Sequence, residues 1–250
     1  MKGIILAGGT GSRLYPLTKV TNKHLLSIGK YPMIFYPIHK LQECGIKDIM
    51  IVTGKEHMGS VVNLLGSGYE FGLEFTYKIQ DQPGGIAQAL SLAQNFVGND
   101  RCVVILGDNI FSGNIGKFVD YFQRQPTGAK VLIKEVPDPE RYGVAELKGD
   151  HIVGIEEKPK NPKSKFCVTG IYMYDAAVFT IIRDLKPSGR GELEITDVNN
   201  AYIMDGQLTY NIIEGWWTDA GTFDSIFRAN EYVRDYDIGK EWRTIAAQYN

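Results

Sequence analysis

The stretch Lys2-Gly3-Ile4-Ile5-Leu6-Ala7-Gly8-Gly9-Thr10-Gly11-Ser12-Arg13-Leu14 joins a short apolar run to a glycine-rich turn. Residues 3–7 are continuously apolar, which predicts a strand buried on both faces. The glycines that follow let the backbone bend sharply and present N–H groups to an anion with no side chain in the way. Arg13 and, ten residues later, Lys23 are placed to neutralise phosphate oxygens. The loop by itself reads equally as a tight turn after a strand; the two cations tilt it toward a phosphate cradle. Two other phosphate motifs do not fit. Leu14 stands where a dinucleotide fingerprint needs its third glycine, and Ile28-Gly29-Lys30 brings no ribose-binding acid. Nor does a Gly-Lys-Ser/Thr end the loop, so it is not a P-loop.

Outward from this stretch the chain alternates strand and helix. Continuous apolar runs predict strands over 48–53, 73–79, 102–106 and 129–135. Helical spacing falls between them: a helix opened by Pro32 over 33–43 and ended by Gly45, then 57–65, 86–96 and 115–124. Apolar strands alternating with helices predict a Rossmann-like α/β fold, with a mostly parallel central sheet and helices on both faces. Beyond about residue 136 the rhythm changes. Strands over 144–147, 152–156, 167–174 and 208–213, with helices over 195–204 and 223–236, predict a smaller mixed or antiparallel portion. No repeat, low-complexity tract or linker interrupts residues 1–250, so one domain is expected. Ligands of such folds bind beyond the carboxyl ends of the strands, which puts residues 8–13, 80–85 and 107–109 on one face.

Bulk properties set limits. The chain is 44% hydrophobic and 22% charged with a net charge of −2, an ordinary globular balance. Nothing in it attracts nucleic acid or an acidic membrane surface globally, so phosphate-binding charge must be local. Cys44, Cys102 and Cys167 are too few and too scattered for a disulfide framework or a zinc site; reduced thiols in a cytoplasmic protein are expected. The first apolar run is too short for a signal peptide, and no stretch approaches the ~20 apolar residues of a membrane span.

The glycine loop, together with Asn22-Lys23-His24-Leu25-Leu26, resembles the signature of the sugar-phosphate nucleotidyltransferases, most closely the glucose-1-phosphate thymidylyltransferase branch. In that family Gly8, Gly9, Thr10, Gly11, Ser12 and Arg13 would hold a nucleoside triphosphate, and Lys23 would neutralise its reacting phosphates. His24 replaces a common Gln, which would alter local nucleotide contacts, and Ser27 replaces a common Pro. Leu106-Gly107-Asp108-Asn109 closes the 102–106 strand, and Trp217-Thr218-Asp219-Ala220-Gly221 lies far along the chain. Taken singly, each Asp reads as a turn former or a helix cap. The resemblance pairs them as joint ligands of Mg2+, which needs few protein oxygens because phosphates and water supply the rest.

Further segments extend the resemblance. Gln80, ahead of Asp81-Gln82-Pro83-Gly84-Gly85, matches the family's base-reading Gln, whose amide suits the N3–H and a carbonyl of thymine or uracil; alone it reads as part of a polar loop. The Gly85 backbone would add to that contact. The resemblance puts Asn109, Gly143, Glu157, Lys158 and Gly170 on the sugar phosphate, with Arg13, Lys23, Asp108 and Lys158 as the catalytic set. Glu157 and Lys158 read otherwise as a solvated charge pair. Arg190-Gly191-Glu192-Leu193-Glu194-Ile195-Thr196-Asp197 also matches, as scaffold near the sugar pocket.

The matched stretches divide the chain into a nucleotide-binding part over about 1–136 and a sugar-binding, second-ligand part over about 137–235. The implied reaction joins dTTP and α-D-glucose 1-phosphate into dTDP-glucose and pyrophosphate, for deoxysugar (dTDP-rhamnose-type) and cell-surface polysaccharide synthesis. The alternatives are UTP or another sugar 1-phosphate as substrate, and a non-catalytic nucleotide-sugar sensor. The family commonly forms homo-oligomers, so a dimer or tetramer is expected. The chain stops before the C-terminal helical segment of longer thymidylyltransferases, which puts an effector site of their kind in doubt.

Overall fold

The computed structural model describes residues 1–236 and 238. They divide into two compact units that interleave along the chain. One holds residues 2–83, 105–114 and those from Gly215 on; the other holds Met1, 84–104 and 115–214. The strand Cys102–Leu106 contributes residues to both.

In the first unit the strands Lys2–Ala7, Asp48–Gly54 and Glu74–Gln80 form a parallel ladder, with Ile5 opposite Ile51 and Gly54 opposite Gln80. The first two are buried almost end to end, as continuous apolar runs require, whereas Glu74–Gln80 is partly exposed along its length. Helix Phe35–Glu43 and helix Met58–Leu65 make the crossovers. The first ends in a left-handed glycine cap: Gly45 has φ 72°, its N–H donates to Gln42 O and that of Ile46 donates to Leu41 O. All four strand and helix assignments before Gly66 hold to within two residues.

Pro32 is an exception to the predicted pattern. Ser27–Ile28 and Tyr31–Pro32 pair around Gly29, and the N–H groups of Met33 and Ile34 donate to Leu26 O and His24 O. The helix then runs over Phe35–Glu43, two residues later than predicted. Also unforeseen is a two-stranded antiparallel ladder of Asn109–Phe111 with Trp217–Asp219.

The second unit holds the mixed strands expected beyond residue 136, but it also takes in residues 84–104 and 115–136, and residues from Gly215 on fall in the first unit. Phe166–Tyr174 runs antiparallel to Ala129–Glu135 and Gly143–Lys148, His151–Glu157 forms a hairpin with Gly143–Lys148, and Leu208–Ile212 lies parallel to Ala129–Glu135. Helix Ile195–Met204 appears where predicted, and helix Val178–Asp184 was not anticipated. The helix expected over 86–96 is two, Ile86–Ser91 and Gln94–Val97. Ser91 donates its hydroxyl to Gln88 O and the Ala93 N–H turns to Leu90 O, so the ladder tightens and breaks there. The α/β class, mostly parallel strands with a mixed addition, is as the sequence predicted. The three cysteines are free thiols, and no helix among the described residues is long and apolar enough to cross a membrane.

Candidate active site

In the first unit the chain leaves Ala7 into the glycine loop, which is exposed from Gly9 to Arg13 apart from a half-buried Gly11. Gly9 and Gly11 have φ of 92° and 62°, a region that disfavours any residue with a Cβ. Thr18 Oγ1 donates to Gly11 O at 2.9 Å, folding the loop back so that a methyl on Gly11 would stand 3.3 Å from Lys23 Cβ. Lys23 sits in a single 3₁₀ turn, Lys23–Leu25, capped by the Asn22 side chain, which accepts from the His24 N–H at 2.9 Å. Asn22 is itself buried and donates to Ala7 O and Thr53 Oγ1, so the turn is tied to the ends of two strands of the parallel ladder.

From this turn Lys23 Nζ reaches Asp108 Oδ2 at 2.5 Å. Asp108 is 9% exposed. Burial pushes its pKa up, but the Lys23 charge and hydrogen bond, together with His24 and the Asn109 hydrogen bond, outweigh this and hold the carboxyl well below the usual carboxylate range. It is therefore an anion. Asn109 Nδ2 donates to Asp108 Oδ1 at 3.2 Å, and Trp217 Nε1 donates to Asn109 Oδ1 at 2.7 Å. The Asn109 side chain is thus turned onto Asp108 and Trp217. Asp219 lies opposite Asn109 in the short ladder, and the Ala220 N–H donates to Asp108 O at 2.8 Å. Two acids 111 positions apart in sequence are brought to one end of one ladder. A methyl on Gly221 would meet Arg13 Nη2 at 2.9 Å and Asp108 Oδ2 at 3.6 Å, so the Arg13 guanidinium lies beside this turn and the carboxylate.

Among the described residues no group of three or more His, Cys, Asp or Glu is placed to hold a metal ion. Asp108 and Asp219 still fit magnesium, which keeps water and borrows phosphate oxygens instead of demanding an all-protein cage. An ionised Asp108 with Lys23 already beside it suits an ion bound together with an anionic ligand.

His24 packs inside the turn. It is 1% exposed, and its Nδ1 lies 2.7 Å from Asn22 Oδ1. Burial and the Lys23 charge push its pKa down to about 3, so the ring is neutral near pH 7 and Nδ1–H is the donor. The ring packs flat on Gly107: a methyl there would stand 2.6 Å from His24 Cδ2. His24 therefore supports the turn that presents Asp108. Gly107→Ala should cost roughly 1–3 kcal/mol from overpacking. A melting curve should show a drop of several degrees, and an unchanged curve would mean the ring does not wedge the turn.

Gln80 ends the parallel ladder opposite Gly54, 7% exposed, with its amide against Gly8. Gly85, with φ 96°, belongs to the second unit. A methyl on it would meet Leu193 O at 2.5 Å, and the N–H groups of Leu193 and Ala87 donate to Gly84 O and Leu193 O. The 190–197 stretch thereby clamps the Gly85 turn, a scaffold role of the kind expected for it.

Gly143 and Lys158, with Thr196 and Arg190, lie around Glu157. Gly143 is its partner in the hairpin, and a methyl there would stand 3.3 Å from Thr196 Oγ1 and 3.4 Å from Glu157 Oε2. Thr196 donates its hydroxyl to Glu157 Oε2 at 2.7 Å. Lys158 has φ 47°, unusual for a residue with a side chain, and its N–H donates to Tyr142 O. That turn breaks the strand alternation that would send neighbouring side chains to opposite faces, and Lys158 Nζ lies 3.5 Å from Glu157 Oε1. Arg190 forks onto Glu194 and has Nη2 at 3.6 Å from Glu157 Oε1. Gly170 is buried at an irregularity in the Phe166–Tyr174 pairing. Thr196 and Arg190 belong to the 190–197 stretch read from sequence as scaffold, but their contacts with Glu157 were not foreseen.

A glycine loop, a Lys–Asp pair and a second acid on an α/β frame define a class. The chain belongs to the nucleotidyl transferase family, whose model matches residues 2–236. It is 44% identical over 238 residues to the glucose-1-phosphate thymidylyltransferase of Neisseria meningitidis serogroup A, covering 94% of this chain and 83% of that one. A Bacillus anthracis protein assigned as a glucose-1-phosphate thymidylyltransferase, crystallised with sucrose, is 64% identical with a TM-score of 0.94, covering 97% and 99% of the two chains. A UDP-glucose pyrophosphorylase complexed with UDP-glucose is 25% identical with a TM-score of 0.84 over 94% and 99%.

Proposed function

We propose that the chain is a glucose-1-phosphate thymidylyltransferase: it joins dTTP and α-D-glucose 1-phosphate into dTDP-glucose and releases pyrophosphate. The observation that carries this reading is the Lys23–Asp108 pair beside the glycine loop, with Asp219 laddered next to it. The names of the relatives above support the choice of base and sugar.

A phosphate oxygen of the sugar phosphate attacks the α-phosphorus in line; the bond to the β-phosphate oxygen breaks and the leaving pyrophosphate takes that electron pair. The substrate phosphate is already ionised, so no nucleophile or base from the chain is needed, and the work is positioning and charge neutralisation. The N–H groups of residues 9–12 cradle the triphosphate, and Arg13 and Lys23 neutralise its oxygens. Gln80, with the Gly85 backbone, reads the base. Glu157, fixed by Thr196, accepts from sugar hydroxyls beside the Gly143 and Gly170 backbones, and Lys158 holds the sugar phosphate. Asn109 serves this site through Asp108. Asp108 and Asp219 would hold a divalent cation, for which magnesium is the choice, and it would supply further charge neutralisation at the reacting phosphates.

A second reading keeps the reaction and changes the base to uracil, favoured by the likeness to the UDP-glucose pyrophosphorylase. Thymine and uracil differ by one methyl, worth only ~1–3 kcal/mol in an apolar pocket. Pyrophosphate release from glucose 1-phosphate with Mg2+ should be run in parallel with dTTP, UTP, ATP and GTP. A preference for dTTP, abolished by EDTA, is expected; equal or faster release with UTP moves the assignment to the second reading.

A further inference from the structure

Gly8 is usually grouped with Gly9 and Gly11 as part of a phosphate loop, but its geometry is different. Gly9 and Gly11 occupy the left-handed region; Gly8 does not, so its backbone would accept an alanine. What forbids a side chain at Gly8 is one neighbour. A methyl built there overlaps Gln80 Oε1 and stands 3.5 Å from Gln80 Cδ, with nothing else within 4 Å. Around Gly9 no atom lies within 4 Å of such a methyl. The Gln80 backbone is held by its parallel pairing with Gly54, so the side chain must yield.

We infer that Gly8 is a positioning residue for base selection: its bare Cα makes the slot in which the Gln80 amide lies, and it governs which nucleotide is accepted by way of Gln80. This rests on the reading of Gln80 as the base reader. The overlap involves the end of a flexible side chain, so Gly8→Ala relieves it by rotating the amide out of place and leaves the fold intact. The two glycines then divide the labour. Gly8 serves the base; Gly9 serves the phosphates.

The test compares wild type, Gly8→Ala, Gly9→Ala, Gln80→Ala and the Gly8→Ala/Gln80→Ala double variant. Two quantities are measured: the kcat/KM ratio for dTTP over dCTP, and the inhibition constant of tripolyphosphate, which has phosphates and no base. Gly8→Ala is expected to lower the dTTP/dCTP ratio about tenfold or more, as for loss of a buried hydrogen-bonding partner, with unchanged melting and tripolyphosphate inhibition. Gly9→Ala should weaken tripolyphosphate inhibition and leave the ratio. In the Gln80→Ala background, Gly8→Ala should change the ratio less than twofold, as residues acting through one contact are not additive. Weakened tripolyphosphate inhibition with an intact ratio in Gly8→Ala overturns the inference. So does a further tenfold loss in the double variant, or an intact ratio in Gln80→Ala, which leaves Gly8 nothing to act through. Turnover of dTTP by the wild type in the same assay keeps these results apart from failure of the proposed function.

Discussion

Asp108→Asn lowers the rate of pyrophosphate release by about 10²–10³-fold, the loss typical of one preorganised electrostatic group. The substitution keeps size and an acceptor oxygen, so Asn109 retains a partner, while the negative charge disappears from a position that the Lys23 ammonium and the Asn109 amide converge on. It also aims an amide at either oxygen's place, and an N–H₂ facing the Lys23 ammonium repels it. The Mg2+ concentration for half-activation should rise together with the fall in kcat, and manganese binding followed by electron paramagnetic resonance should weaken in the presence of nucleotide. Because the Asp108 pKa lies below the usual carboxylate range, its contribution to stability is present above that range and fades only as pH falls through the folded-state value. No pH from 5 to 9 therefore imitates the substitution. Near-normal turnover in Asp108→Asn would remove this residue from the metal site.

Lys23→Met is expected to cost a comparable factor, with a rise in the KM for dTTP. Met preserves most of the stem's packing and deletes the charge. Its second effect falls on Asp108: the partner that offsets the cost of burial is gone, so that carboxyl's pKa moves up. The residual activity of Lys23→Met should then fall as pH drops toward the ordinary carboxylate range, a dependence that the wild type does not show from this group. The two side chains touch, so the double Lys23→Met/Asp108→Asn variant should lose clearly less than the product of the single losses. A pH-independent Lys23→Met enzyme, or strict multiplicity of the two losses, would mean that the pair does not act as a unit.

What the sequence revealed and what it hid follow from the range of the interactions involved. The parallel strands were legible because burial on both faces demands unbroken apolar runs such as Ile49-Met50-Ile51-Val52, and the glycine loop because its chemistry is local. The ladder that brings Asp219 to Asp108 was not legible from pattern: each strand has three residues, too few for a period, and they meet across 105 intervening positions. Only the family resemblance paired those acids. Pro32 misled because its fixed φ suits a small hairpin as well as a helix start, and here it pairs with Ser27. The contacts of His24 and Thr196 were hidden because they depend on which distant residue each meets, Gly107 for one and Glu157 for the other. The same holds for Gly8, where sequence suggests a turn glycine and packing shows a space kept for Gln80.

The most direct measurement follows ³¹P magnetic resonance of dTTP and glucose 1-phosphate with the protein and Mg2+. The proposed chemistry predicts that triphosphate and sugar-phosphate signals decay together while a sugar-nucleotide diphosphate and pyrophosphate appear in equal amounts, and that Asp108→Asn or EDTA halts all four changes. Nucleotide that binds the protein while the phosphorus signals stay unchanged over hours would contradict it, and would make the chain a binder of nucleotides instead of a nucleotidyltransferase.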